Sequence, residues 1–280
     1  MFKENAHAGD VRSTSQQRLS PPVTAAPPRP AVNASAIPLQ GWQRLSFRRS
    51  WVWLELPVAA VILTSAALLA AIVMTDDAYE VLRKLFDKVN PGVEASTGTW
   101  VNAGLWLMTG LVAGYIALHE REHRKSWAVV SGLGIYFSLD ETVMLHEHLN
   151  GLLADFEPLQ SFANFVWVIP GTVLALLIAG LLLRMVLSLP HKSRNGILAG
   201  GAVFVFGSIG VESISGFVHV QQGGGSNAYD ALRIVEEALE MTGVALTLAA
   251  MLHLLERCRA AEATAYRVNV QREAGSRAAR

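Results

Sequence analysis

Residues 51–74 read WVWLELPVAAVILTSAALLAAIVM, 24 residues with a single ionisable side chain, Glu55. As a helix rising 1.5 Å per residue, the stretch reaches about 36 Å, enough to cross a hydrocarbon core of about 30 Å. Inside lipid every backbone N–H and C=O must be satisfied within the segment, which a helix achieves and a lone strand does not. Five further apolar stretches obey the same rule: residues 100–118, 127–149, 164–187, 195–219 and 229–255. Strand-type alternation is absent from them, so a barrel is not expected. The predicted fold is all-α, a polytopic bundle of six transmembrane helices over residues 44–257.

Composition points the same way. Of 280 residues, 51% are hydrophobic and 16% charged, with 23 basic residues against 23 acidic. Zero net charge leaves no excess of cations for phosphate contacts, so no nucleic-acid partner is expected. One cysteine, Cys258, excludes a disulfide framework and a Cys-built metal centre. Residues 1–43 hold six of the 11 prolines (Pro21, Pro22, Pro27, Pro28, Pro30 and Pro38) without apolar periodicity. They read as a disordered cytoplasmic tail without a secretory signal peptide. Residues 258–280 read as a basic cytoplasmic tail.

The loops set an orientation. Arg44, Arg48 and Arg49 precede the first stretch, Arg121, Arg124 and Lys125 follow the second, Arg184, Lys192 and Arg194 lie at the end of the fourth and after it, and Arg257, Arg259 and Arg267 follow the sixth. The alternate loops carry Asp76, Asp77 and Glu80 balancing Arg83, Lys84 and Lys88, then Asp155 and Glu157, then the uncharged run 221–227. The positive-inside rule places both termini in the cytoplasm, with Trp51, Trp53 and Trp127 at the inner interface and Trp100, Trp167 and Tyr229 at the outer one. The expected location is a bacterial inner membrane, with the lipid bilayer as the partner.

Three stretches carry ionisable groups that a lipid-facing helix does not tolerate. The third contains Asp140, Glu141, His146, Glu147 and His148; the fifth Glu212 and His219; the sixth Asp230, Arg233, Glu236, Glu237 and Glu240. Counting at 1.5 Å per residue, Glu141 lies about 21 Å above Trp127, Glu212 about 25 Å above Asn195, and Glu236 to Glu240 about 10–17 Å below Tyr229. All three helices bring carboxylates to one level in the outer half of the bilayer. Arg233, Glu236, Glu237 and Glu240 fall within an arc of about 100° on one helix face. Six carboxylates exposed to lipid would cost on the order of 10 kcal/mol. They must face inward, neutralised by protons, a wet cavity or metal cations, because Arg233 and the histidines cannot balance six.

The ligand types match the carboxylate and histidine sets of di-iron and di-manganese bundles, although no Glu-x-x-His falls in these stretches. The first functional expectation is a di-metal-like site of Asp140, Glu141, His146, Glu147, Glu212, Glu236, Glu237 and Glu240, with His148 and His219 ranking behind them. Such a site would hold a divalent metal pair, iron or manganese, in an oxidoreductase acting on a hydrophobic small molecule. His146 reaches the same face only through a local π-bulge. The alternatives are a proton- or cation-coupled transporter using the same carboxylates, and a structural or assembly protein in which the cluster fixes packing. Among the remaining polar groups, Glu55 reads as interfacial, Glu120 and His123 as a solvated pair, and His253 as snorkelling or hydrogen-bonded. Asn102 and Thr109 read as interhelical hydrogen bonds, and Gly132, Gly134, Gly200, Gly201, Gly207 and Gly210 as points of close helix approach.

The string Asp140-Glu141-x4-His146-Glu147, an intramembrane Glu212, and Glu236-Glu237-x-x-Glu240-Met241-x-Gly243 resemble a pattern in uncharacterised multi-pass bacterial membrane proteins. The resemblance covers roughly residues 127–250. It implies a shared intramembrane site and carries no activity with it.

Overall fold

The computed structural model describes residues 41–76, 79–143, 168–259 and 264–271. Within them lie seven helices: α1 (Phe47–Met74), α2 (Glu80–Val89), α3 (Thr97–His119), α4 (Arg124–Val143), α5 (Val168–Ser188), α6 (His191–Gln222) and α7 (Asn227–Leu252). Serine starts three of them: Ser46, Ser96 and Ser226 each accept the backbone N–H three residues on, at 3.4, 3.1 and 3.3 Å, satisfying a donor the first helical turn leaves free.

Among the described residues four helices are long and apolar enough to cross a membrane: α1, α3, α5 from Gly171, and α6. Much of their surface is greasy and unpacked, with Leu63, Leu111, Leu176, Leu177 and Phe217 all exposed. This is a membrane protein. The helices α4 and α7 are long as well, and their acids set them apart from the other four by composition.

The helix α7 runs through the core. Its Met241, Val244, Ala245 and Leu248 form a core with Val58 of α1 and Leu105 of α3. One end of α7 packs Ile234 with Leu69, Ile72 and Phe86, and the other packs Met251 with Ile116, Trp127 and Leu189. Small residues let the backbones meet. A Cβ on Gly243 would lie 2.6 Å from Gly200 O and Phe204 N of α6, and one on Gly134 would lie 2.6 Å from Gly110 N, which joins α3 to α4. Gly207 likewise packs against Glu236 O and Leu239. Gly132 and Gly201 face open space, so close approach does not explain them, and Gly210 meets only the Phe206 ring of its own helix.

The expectation of a wholly helical chain needs amendment. A three-stranded antiparallel sheet, β1 (Gln43–Arg44), β2 (Leu255–Arg259) and β3 (Thr264–Val268), closes one end of the bundle in the order β1-β2-β3. Gln43 pairs with Arg257, and Glu256 pairs with Arg267. The predicted sixth stretch therefore ends at Leu252, three residues early, and part of the predicted C-terminal tail is strand. Gln43 belongs to the sheet, while residues 1–40 of the expected N-terminal tail lie outside the described residues. Trp127 does not mark an interface. It is 1% exposed, in the core behind the sheet. Trp53 and Trp100 are exposed, as interfacial anchors should be.

Candidate functional site

The far end of α7 from the sheet gathers the ionisable groups. Asp230 sits in the first turn, where Arg83 of α2 binds it at 2.7 Å and reaches Asn227 Oδ1 at 3.2 Å. One turn on, Arg233 donates to Glu236 Oε1 at 3.2 Å and to the carbonyl of Gly92 at 3.1 Å, with Glu237 at 4.0 Å. The other oxygen of Glu236 accepts from Ser215 of α6 at 3.0 Å. Both oxygens of a carboxylate only 3% exposed are thus engaged, which is the condition for keeping a charge inside a bundle.

Glu141 reaches the same region from α4, accepting from Asn102 Nδ2 of α3 at 3.0 Å. This is the interhelical role expected of Asn102. Glu240 stands within electrostatic range of Glu237, Glu236, Glu141 and Glu212, and Arg233 acts on Glu141 and Glu212 as well. Asp140, beside Glu141, and Glu212 are both buried. The structure therefore brings together Glu141, Glu212, Glu236, Glu237 and Glu240 from three helices, with Arg233 among them and Asp140 beside Glu141.

His146, Glu147 and His148 lie outside the described residues. His219 stands edge-on to Tyr229 with ring centres 5.0 Å apart, and its Nδ1 is buried without a hydrogen-bond partner. Among the described residues no three His, Cys, Asp or Glu side chains come together as ligands of one metal ion.

The bulge invoked for His146 lies outside the described residues, and a π turn occurs in α6. Residues Phe206–Val211 form a π-helical turn, and Glu212 is the first residue after it. Such a turn holds one extra residue, so it resets the face on which everything beyond it lies. Here that face carries Glu212 and Ser215 to α7, and Gly207 inside the turn lets α6 approach Glu236 and Glu240.

Sequence reasoning missed the partners of Glu55, His123 and Glu256, and it allowed the hydrogen bond that His253 makes. Glu55 accepts from Thr242 of α7 at 2.6 Å and from Trp51 at 3.1 Å, tying α1 to α7. The ring of His123 shares a hydrogen bond with Ser188 at 3.0 Å, so it is not simply solvated. His253 bonds the carbonyl of Leu45 at 2.6 Å. At the sheet, Glu256 accepts from Arg267 and Asn269 at 2.6 Å each, with Arg44 at 3.5 Å. The Trp51–Glu55 spacing of four was visible in the sequence; Arg267 and Asn269 reach Glu256 across one strand pairing, and the others join segments far apart along the chain.

Residues 55–254 match a domain of unknown function, DUF8692. The chain belongs to this family. The DUF8692 match runs from Glu55 in α1 to Leu254 just past α7, so it takes in the whole carboxylate cluster and stops short of the sheet strands. No curated protein and no solved structure matches the chain.

Proposed function

We propose that this DUF8692 protein is a six-span protein of the bacterial inner membrane, both termini cytoplasmic, whose intramembrane carboxylates relay protons or cations. The observation that carries the reading is the file of ionisable groups along α7. Asp230, Arg233, Glu236 or Glu237, and Glu240 follow one another at three to four residues, roughly 5 Å of rise, a step that one side chain or one water can bridge. Glu141 and Glu212 join at its deeper end. Ionisable groups held at this depth mark a proton or ion path before they mark anything else. Arg233, fixed by Glu236 and Gly92, supplies the positive charge that separates Asp230 from the deeper acids.

The test is flux. Proteoliposomes holding the full chain should dissipate an imposed pH or cation gradient, and Glu240→Gln should slow that by tenfold or more. Vesicles that hold their gradients as tightly as empty ones, for protons, sodium and potassium alike, would end the reading.

A second reading keeps the same acids as ligands of an iron or manganese pair in an oxidoreductase for a lipid-soluble substrate. It is favoured by acids from three helices in mutual range of Glu240. Replacing Glu212 by Gln separates the two. A metal ligand lost this way lowers both metal content and melting temperature. A relay acid replaced by its neutral isostere leaves stability level or higher, because no charge is stranded.

A further inference from the structure

Asn102 is 1% exposed and turned into the carboxylate cluster, its Nδ2 donating to Glu141. Its other amide atom, Oδ1, is buried with no hydrogen-bond partner. Leu105, one turn further along α3, packs in the core with Met241 and Ala245, which puts Asn102 level with the turn of α7 from Glu237 to Met241. A second orphan flanks the same level. Ser65 of α1 is wholly buried, its hydroxyl unpartnered, on the helix stripe between Val58, which shares a core with Met241, and Leu69, which shares one with Ile234.

A buried acceptor left without a donor is expensive, and natural structures fill such places. The surroundings say with what. An amide N–H aimed at Glu141 suits the ionised carboxylate, which only accepts. An amide oxygen beside it also only accepts. Two acceptors side by side, in a region where Arg233 faces six acids, call for a positive charge that can be shared between oxygens. In the observed arrangement a proton on Glu141 would still leave Oδ1 of Asn102 empty, because the amide turns its Nδ2 and not its oxygen toward the carboxyl group.

We propose that a hard cation, bound through oxygen alone, sits between α3, α4 and α7, anchored by Asn102 Oδ1 and the Glu141 carboxylate and balanced by Glu240. Carboxylate and amide oxygens are the ligands that alkali and alkaline-earth cations select, and the site needs neither histidine nor thiolate. The proposal rests on the relay reading and names what the relay carries or is gated by.

Binding is measured apart from flux. The full chain in detergent is melted in choline chloride at fixed pH and ionic strength, with sodium, potassium, calcium or magnesium chloride substituted in turn. At least one of these should raise the melting temperature saturably, because a ligand that binds only the folded state stabilises it. Asn102→Leu should weaken the apparent affinity for that cation at least tenfold, while Asn102→Asp, which keeps an oxygen there, should retain it. If the Leu variant does not fold, Glu141→Gln must show the tenfold loss instead. A melting temperature indifferent to all four cations, or one that answers to pH alone, overturns the site. So does a cation response undiminished by Asn102→Leu or, in its place, Glu141→Gln. Gradient dissipation that depends on Glu240 in a protein that binds no cation overturns the site and leaves the relay. Saturable binding without flux does the reverse.

Discussion

Arg233 passes directly over Gly92: its guanidinium donates to the Gly92 carbonyl at 3.1 Å, and a Cβ on Gly92 would lie 2.9 Å from Arg233 Nε. The glycine is there because the arginine needs the room. The loop between α2 and α3 thereby holds the cation that holds Glu236.

Gly92→Ala should therefore act through Arg233. We expect a loss of about 1–3 kcal/mol, the usual cost of overpacking, in the native background. In an Arg233→Met background the same change should cost little, since neighbours sharing a contact are non-additive. Equal losses in the two backgrounds, read by unfolding in detergent, would show that Gly92 matters for another reason.

The meeting of α6 and α7 predicts a contrast between glycines. Gly243→Ala should destabilise by about 2 kcal/mol or more, because its Cβ must displace backbone rather than a side-chain tip. Gly201→Ala on α6 meets nothing within 4 Å and should leave the melting temperature unchanged or slightly raised. A tolerated Gly243→Ala would mean the two helices can separate without loss.

Glu256 gives the sheet end a pH dependence. Burial pushes its carboxyl up, but hydrogen bonds from Asn269 and Arg267 and the charges of Arg267 and Arg44 outweigh burial and hold it below the usual carboxylate value. A carboxylate depressed in the folded state contributes stability that is full above its unfolded value, near 4.5, and is lost as pH falls through the lower folded value. Melting curves from pH 7 down to 3 should show this acid-side loss, and Glu256→Gln should remove that component. A Gln variant with the wild-type acid slope would assign the loss to other groups.

Topology is open to a direct check. Phosphatase fusions after Thr75 and after Gly225 should be active, and fusions after Glu120 and after Leu189 inactive. Activity at either of the latter two breaks the six-span arrangement.

Much of this was readable from the chain because lipid imposes a simple rule. The apolar stretches at 51–74 and 100–118 sit inside α1 and α3, and the arc of Arg233, Glu236, Glu237 and Glu240 forms one working face because 100° per residue leaves no choice. The sheet was not readable. Its pairing of Gln43 with Arg257 spans most of the chain, and strands of two to five residues carry no period long enough to detect. The amphipathic α2 was hidden in a loop of mixed charge, although Phe86 is buried and Arg83 holds α7. The π turn of α6 was not legible, since an extra residue in a helix alters facing without altering composition. Asn102 was read for its donor, and the empty acceptor on the same amide shows only once its neighbours are in place.

The charges on α7 also bear on how the protein is made. A segment with Asp230, Arg233, Glu236, Glu237 and Glu240 in its first 14 residues partitions poorly into lipid by itself, each such group adding on the order of 1–3 kcal/mol against insertion. Its partners change that balance: Arg83 waits for Asp230, Gly92 for Arg233, Ser215 for Glu236, and the small residues of α6 for the backbone. All of these leave the ribosome before α7 does. Under the six-span proposal biogenesis becomes a docking problem, in which the earlier helices form a half-built receptor and α7 enters the bilayer as their ligand.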